Sequence, residues 1–142
     1  MKVEQILHSK GVDVFAVNES DTVRSAIDVL GEKNIGAVVV KAGNGQVAGI
    51  LSERDVVRQL RQEGPALFEK PVTACMTADP FTCSRQTSVN DLMVEMTNKR
   101  VRHMPVVEDG TLVGLVSIGD VVKRKIEEAE REAAELKDYI SS

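Results

Sequence analysis

The chain has 142 residues, 42% hydrophobic and 28% charged, the size and balance of a folded domain with a real core and far from a disordered composition. A formal net charge of −4, with no Trp, one Tyr and three Phe, gives no broad attraction to a phosphate backbone and few rings on which bases could stack. The composition therefore argues against nucleic acid as the principal partner, but not against a small phosphorylated ligand, which needs only a local cluster of donors.

The chain opens with MKVEQILHSKG, which lacks the continuous apolar segment of a secretory leader, and no later apolar run approaches the ~20 residues of a membrane span. The cytoplasm is the expected compartment, and a membrane is not an expected partner. His8 has no ligand-type neighbour in sequence and reads as an ordinary surface or packing histidine. A short apolar strand is predicted over 14–17, then a helix in which Val23, Ala26, Ile27 and Leu30 share one face. A hairpin follows, with strands over 37–41 and 47–51 turning through Gly43-Asn44-Gly45, and a second helix starts at Ser52. Gly64-Pro65 and Pro71 interrupt that helix and make 64–71 a connector.

The same order then returns. A strand over 81–83 precedes a helix with Val89, Leu92, Met93 and Met96 on one face; a hairpin joins 104–107 to 112–116 through Asp109-Gly110; a helix starts at Ser117. Sliding the chain on itself by about 65 positions lays 47–58 over 112–123, where Gly, Ser, Asp and two valines coincide. With the offset one larger, Asp13-Val14-Phe15-Ala16 meets Asp79-Pro80-Phe81-Thr82, and Ala37-Val38-Val39-Val40 meets His103-Met104-Pro105-Val106. The boundaries are 10–66 for the first repeat, 72–125 for the second and 126–142 for a C-terminal helical extension. The predicted fold is α/β of the α+β kind: two β-α-β-β-α repeats, each marginal alone, packed through their apolar sheets with pseudo-twofold symmetry. Cys75 and Cys83 lack a CxxC spacing and are expected to be small apolar side chains, with a redox-sensitive pair as the alternative.

Both repeats carry Ser-x-x-Asp after a Gly-led apolar strand, in GILSERD and GLVSIGD. In one copy alone the pair is most simply a capping box, the serine accepting from a backbone N–H and the carboxylate complementing the positive helix end. Its recurrence at one offset, after strands apolar enough to be buried, places two helix N-termini at a sheet edge where an anion can be met. Gly119 before Asp120 leaves room for close approach. An aspartate there can accept from both hydroxyls of a ribose, so cap and ligand hook are compatible roles.

GILSERD, GLVSIGD and the stretch RHMPVVEDGTLVGLVSIGDVV, within a tandem β-α-β-β-α repeat, resemble a cystathionine-beta-synthase (CBS) domain pair, or Bateman module, over roughly residues 10–125. The resemblance implies two clefts that bind adenosine-containing ligands: AMP, ADP, ATP, NAD or S-adenosylmethionine. It implies that Asp55 and Asp120 bind ribose and that Ser52 and Ser117 lie near phosphates. It further implies that the backbones of Ile35-Gly36-Ala37 and Arg102-His103-Met104 read adenine, with Val14-Phe15 and Pro80-Phe81 as opposite walls. One expected site then groups Ser52, Arg54, Asp55, Phe81, Arg102, His103 and Met104. The other groups Val14, Phe15, Ile35, Gly36, Ala37, Ser117, Ile118, Gly119 and Asp120. Arg102 and His103 have a plainer reading as a solvated helix exit. No metal ligand is expected from the sequence, and Mg2+ accompanying the nucleotide is left open.

The copies differ: Arg54 stands where the second repeat has Gly119, and Gly36-Ala37 where it has Arg102-His103, so the two sites are expected to prefer different ligands. Beyond Asp120 the chain runs to Ile140 without Gly or Pro, with Val122, Ile126, Ala129, Ala133, Leu136 and Ile140 on a heptad-like stripe. That stripe either packs on the chain's own helices or joins subunits; a homodimer is expected. Three functions follow. The first is a non-catalytic regulatory module that binds adenine nucleotide and signals in trans to an unidentified protein. The second is a structural dimer with empty clefts. The third is an enzyme using Ser52 or Ser117 as nucleophile, disfavoured because no GxSxG, P-loop or nucleophile-base pattern is present.

Overall fold

The computed structural model describes residues 1–11 and 13–141; Val12 and Ser142, which the repeat boundaries above include, lie outside the described residues. Helix α1 (Val3–Lys10) comes first, then β1 (Ala16–Asn18), α2 (Val23–Lys33), β2 (Ala37–Lys41), β3 (Val47–Ser52) and α3 (Glu53–Glu63). Two short 3-10 turns, Gly64–Glu69 and Val72–Ala74, lead to β4 (Thr77–Ala78), α4 (Val89–Lys99), β5 (His103–Glu108), β6 (Thr111–Ser117) and α5 (Ile118–Ser141). Both predicted hairpins and all four repeat helices are present, the fourth running on without a break as the long C-terminal helix. The strand predicted over 81–83 is reduced to one parallel bridge, Cys83 to Val106, because after Cys83 the backbone turns through Ser84 and Thr87.

The first half forms a four-stranded sheet in the order β1-β2-β3-β4; the second a two-stranded sheet, β5-β6. One face of β2 and β3 carries Val38, Val40 and Leu51 into a core with α2 and α3, joined by Leu67, Val72 and Cys75. The other face carries Ala37, Val39 and Ile50, which are also buried. The second half repeats this: Met104, Val106 and Val116 enter its own core, while Pro105 is buried on the opposite face. Burial of both faces is why these strands read as unbroken apolar runs, and it is what packing sheet on sheet requires.

Each core is completed by a segment that precedes the other repeat in sequence. Helix α1 packs Val3, Ile6 and Leu7 into the second half, and Val72 and Cys75 are buried in the first. The backbone pairings correspond: Val3 N–H donates to Thr87 O and Val89 N–H to Met1 O, as Val72 N–H donates to Asp21 O and Val23 N–H to Lys70 O. The two lead-in segments therefore cross over. They also explain the repeat's glycines. A Cβ at Gly49 would stand 2.6 Å from Met76 Sδ and 2.7 Å from Thr77 O, and one at Gly114 would stand 2.6 Å from Leu7 Cδ2.

The thiols of Cys75 and Cys83 are free, one in each half's packing. Burial pushes Cys75 up to about 11 and Cys83 up to about 12, with nearby carboxylates adding to each shift. Both are protonated and poorly nucleophilic at neutral pH.

Candidate functional site

The β3-to-α3 and β6-to-α5 junctions are built alike. Ser52 N–H donates to Asp55 Oδ2 at 2.9 Å and Asp55 N–H to Ser52 Oγ at 3.2 Å; Ser117 and Asp120 repeat both bonds at 2.9 and 3.2 Å. These are reciprocal capping boxes. The first N–H of each helix is taken as well, by Gly36 O at 3.0 Å for Glu53 and by Arg102 O at 2.8 Å for Ile118. Among the described residues, the second-position N–H of each helix, at Arg54 and Gly119, has no partner. These two donors are what remains for a ligand at the positive helix ends.

The acids differ beyond the cap. In the first half Asp55 Oδ1 lies 3.9 Å from the Arg58 guanidinium, and Ser52 Oγ also donates to Asp55 Oδ2 at 3.0 Å. In the second, Lys10 reaches from the end of α1 to donate to Asp120 Oδ2 at 2.7 Å and to Leu115 O at 2.9 Å. Lys10 thus holds the second acid and one carbonyl of β6, the strand whose counterpart β3 is flanked by β4.

A cavity of about 620 Å3 opens where the halves meet. From the first set of expected site residues, Ser52, Arg54, Asp55, Phe81, Arg102 and His103 line it. Met104 does not; its side chain is 1% exposed in the core, which leaves its backbone as the part able to serve. From the second set, Gly36, Ser117, Ile118 and Gly119 line this same cavity. Val14, Phe15, Ile35, Ala37 and Asp120 are not part of its wall: Ala37 is buried and Ile35 packs against the first core. Asp120 lines a recess of about 40 Å3 with Lys10, Lys123 and Arg124.

The charged residues outside the two expected sets that also line the large cavity are Glu53, Arg58, Asp79 and Arg100. Arg58 lies one helical turn beyond Asp55, a spacing legible in sequence. Arg100 could be found only by asking what stands at the C-cap of each repeat's first helix. There Asn34 and Arg100 are both left-handed, at φ 52° and 55°. Phe81 is 49% exposed, and Lys99 Nζ lies 3.9 Å from its ring centre; Phe15 and Lys33 form the corresponding pair at 5.2 Å.

His103 is packed beside Gly36, whose added Cβ would lie 3.4 Å from the imidazole, with Glu53 also near. Burial holds its pKa below the ordinary value of 6.5, with Lys10 and Arg102 lowering it and Asp120 and Glu53 opposing. At neutral pH it is an uncharged donor and acceptor at the junction of the halves. Among the described residues no group of three His, Cys, Asp or Glu side chains could hold a metal ion, and no helix is long and apolar enough to cross a membrane.

The geometry can be set beside known proteins. The CBS domain family profile matches twice, over 3–62 and 72–127. A mitochondrial CBS domain-containing protein of Arabidopsis thaliana is 40% identical over 124 residues, covering 84% of this chain; the chain spans 60% of that relative's length. The crystal structure of a CBS-domain containing protein from Agrobacterium tumefaciens is 39% identical, with a TM-score of 0.85 over 88% of this chain and 99% of its own. A CBS domain protein of Pyrobaculum aerophilum, solved in complex with AMP, shares the fold at 24% identity and a TM-score of 0.76, over 84% of this chain and 89% of its own. Two profile matches that together take in both capping boxes, both hairpins and both lead-in segments place this chain in the CBS domain family, as a tandem pair.

Proposed function

We propose that this CBS pair is a non-catalytic regulatory module that binds an adenosine-containing nucleotide, AMP, ADP, ATP or NAD, in the cleft between its repeats and conveys that state to a separate protein. What carries the reading is the meeting, on one cavity of about 620 Å3, of the Asp55 carboxylate, the uncommitted N–H of Arg54, several guanidinium groups and the exposed Phe81 ring. In this reading Asp55 Oδ2 remains committed to the cap while Oδ1 takes a ribose hydroxyl. Arg54, the Ser52 hydroxyl and Arg102 face phosphate, and the backbones of Arg102, His103 and Met104 meet the base. The AMP held by the Pyrobaculum protein is consistent with a ligand of this class.

The second cleft, expected from Asp120, Ser117, Ile118 and Gly119 with Val14, Phe15, Ile35, Gly36 and Ala37, is the weaker site in this reading, because Ser117, Ile118, Gly119 and Gly36 line the first cavity and Asp120 stands apart in a recess of about 40 Å3 beside Lys10. Catalysis by Ser52 or Ser117 is disfavoured: each hydroxyl is tied into a cap and neither has a histidine base bonded to it. A turnover assay with ATP and NAD that showed product would reverse that conclusion. The compartment that goes with the reading is the cytoplasm; the mitochondrial relative supplies the alternative, decided by fractionating cells that express a tagged protein.

The module is further proposed to act as a homodimer joined through α5. Val122, Ile126, Leu136 and Ile140 are 50–74% exposed along it, so the stripe is not packed on the chain's own helices. Sedimentation of the native protein and of Ile126→Glu/Leu136→Glu should show a dimer and a monomer. For the ligand, titration calorimetry with AMP, ATP and NAD is the test, repeated on Asp55→Ala. Binding of at least one nucleotide by the native protein, lost on substitution, is expected; no binding by native protein leaves a structural dimer as the better account.

A further inference from the structure

The repeat lets each residue facing the cleft be compared with its partner under the pseudo-twofold. Arg54 and Arg58 of α3 correspond to Gly119 and Lys123 of α5, and Arg100 and Arg102, leaving α4, correspond to Asn34 and Gly36, leaving α2. All four arginines line one cavity. Among the described residues, Arg54, Arg100 and Arg102 have no carboxylate or other hydrogen-bond partner for their side chains, and only Arg58 has an anion near, Asp55 at 3.9 Å. The same wall carries the carboxylates of Glu53, Asp55 and Asp79, but none of them pairs with Arg54, Arg100 or Arg102, so three guanidinium groups keep their donors for a multiply charged anion.

Arg100 adds an independent observation. It caps α4 at φ 55° and ψ 40°, in the left-handed region, where its counterpart Asn34 sits at φ 52° and ψ 50°. Asparagine adopts that conformation readily and arginine does so at a cost, because its Cβ crowds the following carbonyl. A cation at a helix C-terminus gains from the dipole, but Lys99 in the last turn of α4, like Lys33 in α2, already supplies one without a left-handed backbone. The first repeat has the residue that suits the backbone; the second has the residue that suits the cavity.

We infer that this cleft selects ligands bearing two or more linked phosphoryl groups over monophosphates, and that Arg100, held in a strained conformation, is the residue that sets this preference. The inference rests on the nucleotide reading above and deepens it. Arg54, with the N–H beside it, and Arg102 flank the phosphate nearest the ribose, and Arg100 takes the phosphoryl group beyond it.

The test is calorimetric titration of the native protein and of Arg100→Asn with AMP, ADP, ATP and inorganic tripolyphosphate, together with a thermal melt of each in the absence of ligand. ATP should bind at least roughly tenfold more tightly than AMP. Arg100→Asn should lose about that factor for ATP, change AMP by less than about twofold, and melt roughly 2–4 °C higher than the native protein. Arg102→Ala, at a position without left-handed backbone, should weaken ATP with no rise in melting temperature. Equal affinity for AMP and ATP, or an unchanged ratio in Arg100→Asn, overturns the inference and leaves the nucleotide reading standing. Tripolyphosphate binding that no adenine nucleotide reproduces, weakened by Arg100→Asn, supports the inference and overturns the nucleotide reading. Binding of none of the four overturns both.

Discussion

The two halves share one plan and complete it differently. The first is finished by a lead-in segment that ends as a strand, β4, laid along β3 with Gly49 facing Ala78 and Ile50 facing Thr77. The second is finished by a helix, α1, which lays Leu7 over Gly114 and sends Lys10 to the β6 carbonyl of Leu115. One junction stands on the large cavity with arginines around its acid, whose Oδ1 lies 3.9 Å from Arg58 of the same helix; the other has its acid in a small recess, where Lys10 from α1 donates to Asp120 Oδ2. The difference teaches that the recurring hairpin and capping box fix the frame of a site, while the lead-in segment that crosses over to each half shapes what surrounds its acid.

Four experiments would break or sharpen this contrast. Leu7→Ala should have the largest effect, a loss of about 2–5 kcal/mol in denaturant-unfolding stability, because a buried leucine leaves a void over a glycine that cannot fill it. Met76→Ala, at the corresponding place but half-buried, should lose less. Next come the glycines. Gly49→Ala should lose about 1–3 kcal/mol, and Gly114→Ala less, since the former meets the Thr77 backbone and the latter only the flexible end of Leu7. Equal losses would show that the halves resist crowding alike.

The caps should come third: Ser52→Ala and Ser117→Ala are each expected to lose about 1 kcal/mol. Only Ser52→Ala should also weaken nucleotide in calorimetry, if the first junction is the open one. The smallest effect belongs to His103. Its folded pKa lies below 6.5, so on acidification the unfolded chain takes up the proton first. The contribution is fully present above pH 6.5 and is lost as the pH falls through the lower folded value. The urea midpoint should drop over that interval, and less so in His103→Gln. The charged groups facing the imidazole, Lys10, Asp120, Glu53 and Arg102, are the ones that would modulate the drop.

The fold was legible because its signals are local. Apolar runs such as Ala37-Val38-Val39-Val40, the turn at Asp109-Gly110 and the recurrence of Ser-x-x-Asp each depend on neighbours within a few residues. The role of α1 was not legible. Val3, Ile6 and Leu7 have helical spacing, but nothing in them says that they pack against Val89 and Met96 rather than the adjacent strand. The site was half legible for the same reason. Ser52, Asp55 and Arg102 follow from the motif, while the Lys10–Asp120 pair joins residues far apart in sequence, and Arg100 reveals itself only through a backbone dihedral.

The crossed lead-in segments carry a consequence for how this chain must fold. Val3 pairs with Thr87 and Arg124 donates to the Gln5 carbonyl at 2.8 Å, so α1, which precedes both repeats in the chain, has no complete surface to dock on until α5 is in place. Closure of that long loop is a non-local, late event. Cutting the gene between the repeats would yield no native half: one fragment would carry an orphaned helix and the other an uncovered Gly114.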